Sequence, residues 1–94
     1  MARMDDVILK SILGACEEVG LERGKQAFAA TMAQSIIRLI AEDKLNHFQV
    51  MLALGWNGRY VYGNRIRRDK LANAILRRLR PELELLERVS EVEE

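Results

Sequence analysis

The sequence predicts an all-α fold of four to five short helices, and three features carry that prediction. Apolar residues recur at three- and four-residue intervals through most of the 94 residues, glycines punctuate the pattern at Gly20 and again at Gly55, Gly58 and Gly63, and the only proline stands late, at Pro81. Apolar residues make up 49% of the chain and charged residues 31%, too rich in both for a chain that stays unfolded. At this length residues 1–94 form one domain with a single core, and association with a second copy would relieve its unfavourable ratio of surface to volume.

The first helix is announced by Asp5 or Asp6 as a cap, followed by Ile8, Leu9, Ile12, Leu13, Cys16 and Val19 at helical spacing, with Gly20 ending the pattern. After a short connection over residues 21–24, a second helix is predicted from Lys25 to about Glu42. Its broad apolar stripe comprises Phe28, Ala29, Met32, Ala33, Ile36, Ile37 and Ile40. Small residues on the two segments, Gly14, Ala15, Ala27, Ala29, Ala30 and Ala33, suit a close antiparallel pair.

From Asn46 onward two readings compete. His47 to Leu54 fits a short helix with Leu45, Phe48, Met51 and Leu52 in register, while Val50 to Tyr62 also fits two strands around Asn57-Gly58, a dipeptide suited to a tight hairpin turn. Poor alternation over Val50–Leu54 favours helix and then turn. Tyr60, Val61 and Tyr62 keep a short strand or hairpin around residues 56–62 as the alternative. Ile66 to Leu79 is a basic amphipathic helix with Leu71, Ala72, Ile75, Leu76 and Leu79 on its apolar face. Pro81 lacks an amide hydrogen and suits the first position of a new helix, so a kink or break is expected at Arg80. Leu83, Leu85, Leu86, Val89 and Val92 then form a last apolar series before an acidic end, residues 90–94, that is expected to fray.

Charge is the feature that points to a partner. Residues 55–80 carry eight basic side chains against Asp69 alone, whereas residues 81–94 carry six glutamates against Arg88, so a net charge of +1 conceals a strong segregation. A clustered positive field attracts phosphate backbones whatever fold lies beneath it. Within this region Arg59, Arg65, Arg67, Arg68, Lys70, Arg77 and Arg78 are candidate phosphate contacts, and Tyr60, Tyr62 and Asn64 are candidates to face bases or a protein partner. The competing view is a solvated helix face whose arginines pair loosely with the glutamates after Pro81. Trp56 reads as a core residue and His47 as a packing or capping group at the start of its helix.

The segment from Phe48 to Arg68 resembles the helix-turn-helix module of small transcriptional regulators. Leu54-Gly55-Trp56 is similar to the apolar-glycine-apolar turn between the two helices, and Val61 stands six residues after that glycine, where such modules place an inward aliphatic side chain. The next aliphatic, Ile66, comes one position late, and Gly58 and Gly63 would each weaken a recognition helix by about 1 kcal/mol.

Catalytic and metal constellations are missing. Cys16 is the only cysteine and sits in an apolar register, His47 is the only histidine, and no glycine-rich phosphate loop follows a strand, so neither an enzyme nor a cofactor is expected. No apolar run exceeds five residues, which excludes a membrane-spanning helix, and no secretory pattern opens the chain. The resulting expectation is a small cytoplasmic DNA-binding regulator of bacterial or phage type, homodimeric, with its basic surface in residues 55–80. The alternative is a non-enzymatic adaptor or inhibitor that binds another protein through the same arginines and tyrosines.

Overall fold

The structure, a computed structural model, describes residues 3–56 and 65–93, with side chains from Met4 to Trp56 and from Arg67 to Leu86. Among the described residues there are four helices and no strand: α1 (Arg3–Glu18), α2 (Lys25–Ala41), α3 (His47–Trp56) and α4 (Arg65–Glu93). The all-α expectation holds. The hairpin alternative retains nothing up to Trp56, and its remainder, with Arg59, Tyr60, Tyr62 and Asn64, lies outside the described residues.

Helix α1 packs against both α2 and α4, and α3 closes the bundle against α4 and α2. The core is built from Ile8, Ile12 and Cys16 of α1, Phe28, Met32 and Ile36 of α2, Val50 and Leu54 of α3, and Leu71, Ile75 and Leu79 of α4. Each set follows the three- and four-residue spacing that brings side chains onto one face of a helix. The small residues divide differently from the expected close pair. Ala15, Ala29 and Ala33 are buried, whereas Ala27 and Ala30 face solvent and Gly14 makes room for α4.

Both early connections use the same closing geometry. At the end of α1 the Gly20 amide donates to the Glu17 carbonyl (3.2 Å) and the Leu21 amide to the Cys16 carbonyl (2.8 Å). At the end of α2 the Asp43 amide donates to Ile40 (3.1 Å) and the Lys44 amide to Leu39 (2.8 Å). Such a turn needs one residue in the left-handed region, occupied by Gly20 at φ 79° in the first case and Asp43 at φ 55° in the second. Asn46 then caps α3, its Oδ1 accepting the Gln49 amide at 2.9 Å.

The expected break at Arg80 is absent, since α4 runs through Pro81 for 29 residues. Pro81 removes the donor that would meet the Arg77 carbonyl. The helix persists because packing holds both sides, with Leu79 buried and Leu83 against the core. At about 1.5 Å per residue its length accounts for the 44 Å long dimension of the molecule.

Candidate binding surface

The Leu71/Ile75/Leu79 stripe fixes which side of α4 faces outward. Lys70, Asn73, Arg77 and Arg80, spaced by three or four residues, occupy the opposite side and line a surface cleft of about 790 Å³ with Glu18, Val19 and His47. His47 Nε2 lies 2.9 Å from Asp69 Oδ1, so the histidine ties the start of α3 to α4.

Two of the candidate arginines are engaged inside the molecule. Arg77 and Arg78 both bind Glu18, Arg77 through Nη2 to Oε2 and Arg78 through Nε (3.3 Å) and Nη2 (3.1 Å) to Oε1. Arg78 reaches Glu18 by crossing Gly14: a methyl group built there would sit 2.8 Å from Arg78 Nη1. The pairing with glutamates after Pro81 that the competing view offered is, for these two arginines, replaced by pairing with an acid on α1. Nothing in the sequence marks Glu18 for that role, because it stands 59 and 60 residues away.

The other candidates separate by position. Lys70 is exposed, Arg67 is half-buried, and Arg68 is half-buried with Nη1 3.4 Å from where a side chain on Gly55 would begin. Arg68 thus lies at the C-terminal end of α3, where a cation is favoured by the helix dipole. Arg65 opens α4, and its side chain lies outside the described residues. Arg80, not singled out for binding from the sequence, completes the outward row with Lys70.

The helix-turn-helix likeness does not survive. Leu54, Gly55 and Trp56 belong to α3 and do not form a turn, and Val61 lies outside the described residues. Trp56 is also not core, being 89% exposed. Phe48 (60%) and Leu52 (48%) are exposed with it, one helical turn apart, while Val50, Ala53 and Leu54 point inward. The sequence hid this choice because α3 is apolar around most of its circumference, so periodicity does not say which side is buried.

Cys16 is fully buried, and burial pushes its thiol up to about 11, the opposite of an activated thiolate, with the Lys25 charge opposing that rise. Among the described residues no three metal-ligating side chains come together, and no helix is long and apolar enough to cross a membrane. Comparison of the chain with known protein families, curated proteins and solved structures finds no match.

Proposed function

We propose that the protein is a small, non-enzymatic DNA-binding regulator that holds the phosphate backbone along the outward side of α4, without a helix-turn-helix. The observation that carries this reading is the row formed by Lys70, Asn73, Arg77 and Arg80, in a cleft where Glu18 is the only acid among the lining residues. Lys70 and Arg80 have no acidic partner among the described residues, Arg65 and Arg67 stand in the first turn of the same helix, and the sequence adds Arg59 shortly before it. Glu18 occupies the place a phosphate oxygen would take between Arg77 and Arg78. Exposed ion pairs of this kind contribute only about 0–1 kcal/mol each, so a polyanion can displace the carboxylate.

The test is fluorescence anisotropy of labelled random-sequence duplex DNA between low and moderate salt. About four phosphate contacts imply roughly a hundredfold loss of affinity over a fourfold rise in salt. Lys70→Glu/Arg80→Glu should abolish binding, and Glu18→Gln should strengthen it by freeing two guanidinium groups. A folded wild type that fails to bind at the lowest salt refutes the reading.

A second reading, the adaptor or inhibitor that docks on a protein, is favoured by the exposure of Trp56 beside Phe48 and Leu52, since aromatic anchors dominate protein interfaces. Flat salt response with retained binding to a protein would select it. Self-association belongs to the proposal under either reading, because a chain of this size leaves much apolar surface uncovered.

A further inference from the structure

Phe48, Leu52 and Trp56 stand at positions i, i+4 and i+8 of α3, so they form one nearly straight apolar line about 12 Å long. They are exposed by 60%, 48% and 89%, while the opposite side of the helix already seals the core. We infer that this line is the interface on which a second copy of the chain docks, α3 against α3 in antiparallel orientation about a two-fold axis at Leu52. The inference rests on the self-association proposed above and adds the surface that performs it.

Three observations select a second copy as the occupant. The line reads aromatic, aliphatic, aromatic, and so is unchanged by the reversal that a two-fold axis imposes: Leu52 meets Leu52 and each Phe48 meets the other Trp56. The charges beside it reverse in the same way. Arg38 and Glu42 of α2 border the groove along Leu52 and Trp56. The connection from α2 to α3 is short, so Glu42 lies toward the Phe48 end and Arg38 toward the Trp56 end. Antiparallel docking therefore sets each Arg38 opposite the other chain's Glu42. Arg38 has no acidic partner among the described residues, and Glu42 holds only Lys44, at 3.5 Å.

The third observation is area. The three side chains expose on the order of 400 Å² per copy. With the bordering Arg38, Leu39 and Gln49, two copies reach the roughly 1,000 Å² that a specific association needs.

Sedimentation velocity of the full chain, from micromolar to hundreds of micromolar, tests the inference. Wild type should be dimeric at the upper end, and the emission of Trp56, the only tryptophan, should shift to the blue as concentration rises. Leu52→Glu sets two carboxylates on the axis and should raise the dissociation constant roughly a hundredfold or more while circular dichroism keeps the same cooperative melt. Arg38→Glu should also weaken the dimer, and Arg38→Glu/Glu42→Arg should restore it. That rescue needs no buried substitution, so it stands even if Leu52→Glu fails to fold. A dimer that survives both Leu52→Glu and Arg38→Glu overturns this surface and leaves self-association intact. A wild type that stays monomeric throughout overturns both, and capture of α3 by a different protein would then be the remaining use of the line.

Discussion

The α1–α4 side and the α2–α3 side of the bundle treat their surplus residues in opposite ways. Where α1 meets α4, large apolar side chains from Leu71 to Leu79 are buried, two arginines close on Glu18, and Gly14 yields the space Arg78 needs. Where α2 meets α3, Phe48, Leu52 and Trp56 face solvent, Arg38 lacks an acidic partner among the described residues, and the connecting turn puts Asp43 where glycine is preferred. The first side buries its large apolar side chains and pairs two of its arginines within the chain, leaving Lys70 and Arg80 on the outward row. The second leaves apolar area and a guanidinium without an acidic partner facing solvent, which is why the proposed contact between copies falls there.

The sharpest way to break this contrast is to place the same charge on the two sides of α3. Leu54 is fully buried, and Leu54→Asp should unfold the protein, because an unpaired buried carboxylate costs several kcal/mol against a total stability of about 5–15 kcal/mol. Leu52→Asp, two residues earlier, should change the stability of the isolated chain by no more than about 0.5 kcal/mol. Thermal melts at low concentration, below association, compare the two. Similar losses would mean that both sides of α3 are core.

Alkaline pH probes the α1–α4 side. The Cys16 thiol rises from its ordinary 9.0 to about 11 in the folded chain because burial disfavours the thiolate. The unfolded chain therefore releases this proton first. Its contribution is complete below pH 9 and is lost as pH climbs toward 11, by as much as about 2–3 kcal/mol. Lys25 adds to the same trend, since its contacts with Glu22 and Glu17 hold its ammonium above the ordinary range. Urea midpoints measured across this interval should fall. Cys16→Ala should be less stable at neutral pH but show a flatter decline, and an unchanged slope would mean that the thiol is not sequestered.

How much of this was legible in the sequence follows from the same contrast. Helices α1, α2 and α4 carry apolar residues on one face and polar residues on the other, so spacing alone identifies Ile8, Ile12, Met32, Ile36, Leu71 and Ile75 as core. In α3 apolar residues lie on nearly every side, and Phe48 and Leu52, read from spacing as part of the packed face, are exposed. The basic cluster was visible as composition, yet the engagement of Arg77 and Arg78 by Glu18 depends on helices meeting in space. Pro81 misled because a proline's local cost, about 3 kcal/mol in a helix interior, was offset by packing on either side of it.

The smallest effect compares the two turns directly. Gly20 and Asp43 hold equivalent positions, each with an amide bonded back to the helix it ends, and each in the left-handed region. Only the aspartate carries a side chain crowded by that conformation. Asp43→Gly should therefore stabilise the chain by about 0.5–1 kcal/mol, raising the melting temperature by a few degrees. Gly20→Asp, the reverse exchange, should destabilise it by a similar amount; open space surrounds the position where its Cβ would stand, so backbone strain is the sole penalty there. Equal and opposite shifts would establish that the two ends differ in residue and not in geometry. A loss of stability in Asp43→Gly would instead mean that the carboxylate supports the turn into α3, and that this end of the α2–α3 side is better satisfied than its backbone suggests.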